Sequence, residues 1–187
     1  LVKLGSNPYF KSDKFIRFKK LALPLPLKGE TECPVFHFQI QKPMFSKACE
    51  YAIRATLLIA THSLEGSRVS VKDIAEDTGS PVAFTGKILQ QLTRGGIVRS
   101  VQGVHGGFEI GRKEMERTRL SEIVTTIDGD HIFTGCGLGL RACNALKPCP
   151  MHERFAAVRN ELKAMLEETT VLELALGLKD GSTFLKR

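Results

Sequence analysis

Ser70-Val-Lys-Asp-Ile-Ala-Glu-Asp-Thr-Gly79 runs directly into Ser80-Pro-Val-Ala-Phe-Thr-Gly-Lys-Ile-Leu-Gln-Gln-Leu-Thr-Arg94, and Gly95-Gly96 follows. Ser70 and Asp73 have the spacing of a capping box, which opens a short helix with Val71, Ile74 and Ala75 as its apolar residues. Thr78-Gly79 turns the chain. Ser80-Pro81 restarts it, with Ser80 as N-cap and Pro81 at the first helical position. The second helix turns Phe84, Ile88, Leu89 and Leu92 inward, and Thr85, Lys87, Gln90, Gln91 and Arg94 outward. Two short helices joined by a tight glycine turn form a helix-turn-helix, whose second helix is the one that enters the major groove.

Both flanks fit that reading. Downstream, Ile97-Val-Arg-Ser-Val101 and Phe108-Glu-Ile110 are two strands of a hairpin around Gly103, Gly106 and Gly107, the wing of a winged helix. From Thr78 to Phe108 the chain carries Lys87, Arg94 and Arg99 and no carboxylate, a one-signed surface of the kind a phosphate backbone selects. Gly86 is locally unfavourable within a helix; close approach to DNA and helix packing both account for it. Upstream, Ala48, Tyr51, Ala52, Ala55, Leu58, Ile59 and His62 share one helical face between Ser46, a candidate N-cap, and Gly66. Cys49 and Glu50 fall in its first turn.

A second constellation lies further on, from Cys136 to His152. Cys136, Cys143 and Cys149 are separated by Gly, Asn and Pro, which favour irregular loops, and His152 follows three residues later. Cysteines on such a loop can converge on one metal or cluster. A helix opening at Pro150 would place Cys149 at its N-terminus, where the dipole favours the thiolate. The stripe Phe155, Val158, Leu162, Met165 and Leu166 then calls for burial, either in the chain's own core or against a second copy. A helix from Leu120 to about Gly129 precedes the loop, and Thr170–Leu178 closes the fold.

The chain of 187 residues is 42% hydrophobic and 25% charged, the composition of a soluble globular protein. No apolar run approaches the ~20 residues that span a membrane, so no membrane association is expected. Residues 21–27 make no convincing signal peptide, and the cytoplasm is the expected compartment. There, clustered cysteines bind metal more often than they pair as disulfides. The net charge of +7 comes mostly from residues 1–43, where basic groups exceed acidic ones by five. Those residues read as a disordered or non-native extension, and Cys33 and His37 within it have no assigned role. Residues 44–112 read as the winged helix-turn-helix domain, and 113–180 as the cysteine loop with a long dimerisation helix. The fold class is mainly α with a small β-hairpin. Without Cys-x-x-Cys near a βαβ pattern, a thiol oxidoreductase is a poor reading, and no enzymatic activity is expected.

This order of parts resembles the Rrf2 family of bacterial transcription regulators. The resemblance runs from Met44 to Leu178. Its carriers are Tyr51-Ala-Ile-Arg-Ala55, Asp73-Ile-Ala75, Lys87-Ile-Leu-Gln-Gln-Leu92, Gly96-Ile-Val98 with Ser100, Gly103-Val-His-Gly-Gly107, Leu120-Ser-Glu-Ile-Val124 and the cysteine loop. It implies a homodimeric repressor on palindromic double-stranded promoter DNA, sensing redox, iron–sulfur status or nitric oxide through a cluster. Cys136, Cys143 and Cys149 would be its cysteine ligands. For the fourth position the resemblance offers His152, with a 2Fe–2S cluster favoured, or Glu50 reaching across the dimer, with a 4Fe–4S cluster. Thr85, Lys87 and Gln91 would meet the major groove, Arg94 and Arg99 phosphates, and Gln102 and His105 the minor groove. In two respects the chain departs from the family pattern. The gap between the first two cysteines is six residues, and Gln102 stands where many members carry a wing arginine. Because three cysteines and a histidine also make a common zinc set, a zinc-stabilised DNA-binding protein is the alternative.

Overall fold

The computed structural model describes residues 44–185; the expectation for residues 1–43 lies outside them. Helix α1 (Lys47–Leu64) is the axis of the core. Ser46 caps it by accepting from the Cys49 N–H, and Asp128 at the end of a later helix accepts in turn from the Ser46 backbone N–H at 2.9 Å. One side of α1, with Ala52, Ala55, Ile59 and Ala60, is buried. Small residues there let neighbouring helices approach closely.

Helix α2 (Val71–Thr78) opens on the expected Ser70–Asp73 capping box and ends at Gly79, whose left-handed φ of 69° suits glycine. Helix α3 spans Val82–Arg94. Its cap differs from expectation: Pro81 itself is the N-cap, and the buried Ser80 hydroxyl has no hydrogen-bond partner among the described residues. Strands β1 (Arg99–Val101) and β2 (Gly107–Glu109) pair antiparallel, with Ser100 opposite Phe108 and Arg99 opposite Glu109. Val69 adds a further rung, exchanging backbone hydrogen bonds with Phe108.

Helices α4 (Arg112–Arg117), α5 (Leu120–Asp128), α6 (His131–Thr134), α7 (His152–Glu168) and α8 (Val171–Lys179) complete the described chain. The short α4 and α6 have no counterpart in the sequence reading, because neither is long enough to show a period. Met115, Ile123, Val171 and Ala175 share one buried core with α1 and α3. Packing therefore runs continuously across residue 112. A smaller cluster of Cys49, Val124 and Leu166 fastens α7 to α5 and α1. The helix expected from Pro150 begins two residues later, since Met151 is its N-cap. Cys149 instead sits in the preceding turn, where its carbonyl accepts from the His152 N–H at 3.0 Å.

Candidate nucleic-acid interface and cysteine loop

The inner face of α3 is set by Thr85, Ile88, Leu89 and Leu92, at the i, i+3, i+4, i+7 spacing of a buried stripe. Thr85 was expected on the outer face, and the structure corrects this. It is 2% exposed, and its hydroxyl donates to the Pro81 carbonyl at 3.2 Å. A hydroxyl satisfied inside its own helix makes threonine acceptable in a core. Phe84, one residue off the stripe, shifts the other way. It is 37% exposed and packs edge-on against Tyr51 with ring centroids 6.1 Å apart.

Lys87, Gln90, Gln91 and Arg94 stand exposed, and among the described residues neither Lys87 nor Arg94 has an ion-pair partner. A groove of about 450 Å³ separates α3 from the wing, lined by Ala83, Gly86, Lys87, Gln90, Arg94 and Ser100 among others. The geometry removes helix packing as the reason for Gly86, because a Cβ there would meet nothing within 4 Å. Gly86 faces the open groove.

The hairpin has two unlike faces. Ser100 and Phe108 line the groove beside α3, whereas Arg99 and Glu109 line a cleft on the other side. Arg99, expected to hold a phosphate, has its guanidinium 4.0 Å from Glu109 and 3.6 Å from Glu114. Gln102 and His105 are exposed in the connecting turn. That turn depends on glycine: a Cβ at Gly106 would fall 2.5 Å from the Val101 carbonyl oxygen, and one at Gly107 2.8 Å from that of Val69.

The cysteine loop is built differently. Cys136, Cys143 and Cys149 are free thiols, each partly exposed. Cys143 Sγ lies 3.3 Å from His152 Nδ1, and Arg159 on α7 donates to the same sulfur at 3.5 Å. The Cys136 thiol is held below the usual range, chiefly by the backbone N–H of Leu138, then by that of Leu140, with Cys149 a lesser contributor. Gly137 lets this end of the loop lie on the Phe155 ring, since a Cβ would sit 2.5 Å from it. Of the four expected donors, Cys143 and His152 are thus brought into contact. Among the described residues no three His, Cys, Asp or Glu side chains form a group that could hold a metal ion.

Glu50 is in the first turn of α1, paired with Lys47 at 2.7 Å, and no described hydrogen bond joins it to the loop. Cys49 beside it is fully buried, and burial followed by the Asp128 charge pushes its thiol up to about 12. It is a core thiol. Arg159, a donor to the loop whose Nη1 is buried with no partner among the described residues, escaped the sequence reading because its charge hid a position, four residues after Phe155 and three before Leu162, that lies on the apolar stripe of its helix. Arg68 escaped too, because its partners lie about forty residues away in the wing.

Comparison with known proteins agrees with this architecture. The family model Rrf2, described as iron-dependent transcriptional regulator, matches residues 45–176. The HTH-type transcriptional regulator IscR of Serratia proteamaculans is 29% identical over 124 residues, covering 66% of this chain and 74% of that protein. A putative HTH-type transcriptional regulator of Aquifex aeolicus is 26% identical over 133 residues, covering 70% and 90%. Among solved structures, T. potens IscR superposes with a TM-score of 0.57 at 19% identity, covering 75% of this chain and 92% of that one. The global cysteine regulator CymR of B. subtilis gives 0.56 at 21% identity, covering 71% and 95%.

Proposed function

The chain belongs to the Rrf2 family of transcriptional regulators, and from that premise we propose a homodimeric repressor that reads a palindromic promoter site and responds to an iron–sulfur cluster in its cysteine loop. DNA-binding regulation, not enzymatic turnover, is the activity its relatives share by name. None of the described helices is long and apolar enough to cross a membrane, and the reading places the protein in the cytoplasm with its DNA.

The observation that carries the sensing part is the contact of Cys143 with His152 at the foot of α7. Thiolates and a neutral imidazole suit iron–sulfur chemistry, so the donor set fits. Cys136, Cys143, Cys149 and His152 would hold the cluster, with Glu50 of a second copy as the rival fourth donor. When bound, such a cluster supplies a centre sensitive to oxidation, iron supply and nitric oxide. The chain's own part is to transmit the loop's state. His152 is the first residue of α7, Gly137 rests on Phe155, and Leu166 anchors the far end of α7 beside α5. Val158 and Met165, 61% and 49% exposed on α7, are the surface a second copy would cover. A reordered loop would tilt α7 and, through the dimer, change the spacing of the two α3 helices, favouring one DNA-binding conformer over another.

In the DNA-bound dimer Lys87 and Gln91 would meet the major groove, Arg94 a phosphate, and Gln102 with His105 the minor groove. The test of sensing is the visible spectrum, with iron and sulfide analysis, of protein prepared without oxygen. Colour with stoichiometric sulfide supports a cluster, whereas a colourless zinc-loaded protein rejects it. After reconstitution, His152→Ala should shift spectrum and potential while Glu50→Ala leaves both unchanged. The reverse pattern would favour a 4Fe–4S site completed by Glu50.

A further inference from the structure

An alternating row of charges fastens the wing. Arg68 immediately precedes Val69, whose backbone bridges to the hairpin. Its guanidinium donates from Nε to Glu109 Oε2 at 2.6 Å and from Nη1 to the His105 carbonyl at 3.2 Å. The other Glu109 oxygen lies 4.0 Å from Arg99, whose second nitrogen is 3.6 Å from Glu114 on α4. The row therefore ties the segment before α2, both strands and α4 together along a cleft of about 600 Å³. A small-anion site is the obvious competing role for so many arginines. The charges argue against it, because Arg68 and Arg99 face Glu109, and Arg112 at the rim pairs with Glu116 at 3.4 Å. Among the described residues each arginine lining the cleft thus faces a carboxylate, which opposes the binding of an anion.

Arg68 is the member that reaches the tip. The His105 carbonyl belongs to the turn that the Gly106 N–H closes onto Gly103, and the rigid planar fork of a guanidinium holds a carboxylate and a carbonyl in fixed relative directions, which the freely rotating point charge of an ammonium does not impose. The tip itself offers Gln102, His105 and the almost fully exposed Val104. None has the reach or fixed charge of an arginine, so its contact with DNA depends on where the turn is held, and ordering it beforehand reduces the entropy lost on binding. We propose that Arg68 is a positioning residue for DNA recognition: braced by Glu109, it sets the wing tip through the His105 carbonyl without itself touching DNA. This rests on the reading that the wing meets DNA.

The test uses the full chain and a duplex that the unaltered protein selects from a random library. Arg68→Met should raise amide exchange across Gly103–Gly107 at least about tenfold in the free protein. It should weaken duplex binding by about tenfold with an unchanged salt slope, because no phosphate contact is lost. Arg68→Lys should behave like Arg68→Met. Glu109→Gln gives the sharper test. Removing a negative charge near DNA should tighten binding if charge alone matters, whereas release of Arg68 should weaken it. A salt slope lower by about one in Arg68→Met would make Arg68 a phosphate contact and overturn the proposal. Unchanged wing exchange, or tighter binding by Glu109→Gln, would also overturn it. If exchange rises and affinity does not change, the positioning role fails; a Gln102→Ala/His105→Ala variant that also binds normally would trace that failure to the reading of the wing.

Discussion

The α3–wing region and the cysteine loop are the two chemically distinctive parts of this chain, and they are held by opposite means. Ile88, Leu89 and Leu92 lock α3 into a core shared with α1, and glycines and a charge row set the wing. The loop from Cys136 to Met151 buries no residue fully, and Leu138, Leu140 and Leu146 are exposed on it. Its anchors are a few hydrogen bonds and the Phe155 ring. A surface that reads DNA must keep its shape in every state, whereas one that reports a signal must have two states close in energy. The packing assigns the first property to α3 and leaves room for the second in the loop.

Core truncation should break this contrast most visibly. Leu89→Ala, at a fully buried position, should cost about 2–5 kcal/mol, while Leu140→Ala should stay within about 0.5 kcal/mol. Urea unfolding of both variants measures the difference, and comparable losses would mean that the loop is as firmly packed as α3.

Alkaline titration sharpens the contrast between the thiols. The Cys49 thiol, raised from 9.0 to about 12, is neutral in the fold. Between those values the unfolded chain binds fewer protons than the native one, so this contribution is fully present below pH 9 and is lost as pH rises toward 12. The slope should approach about 1.4 kcal/mol per pH unit. Cys49→Ala should lose that slope, and Cys143→Ala should keep it. Equal slopes in denaturant titrations of the two variants would show that Cys49 ionises freely.

The smallest effect concerns the exposed cations. Lys87→Ala should flatten the dependence of log K on log salt by about one unit if it neutralises one phosphate. Arg99→Ala should change it less, because two carboxylates already engage that guanidinium. Equal changes, read from binding isotherms at several salt concentrations, would put both on the DNA.

The sequence made the helix-turn-helix legible because its signals are local. The Ser70–Asp73 box, Gly79 and the stripe of α3 each lie within a turn or two of their partners. Thr85 was misplaced because its polarity outweighed a position that the helical period had already assigned to the core. The Arg68–Glu109 and Cys143–His152 pairings depend on tertiary approach, which spacing alone does not encode. The same holds for the choice between Pro81 and Ser80 as cap, since either residue begins a helix acceptably.

Gly86 has a consequence for how such a regulator diversifies. Because nothing lies within reach of an added Cβ, new side chains there extend into the groove without entering the core. Replacing a mid-helix glycine by alanine even favours the helix by about 1 kcal/mol. Operator preference can thus be explored one codon at a time from a folded starting point, and a duplicated copy could acquire a separate set of promoters before any other residue changed.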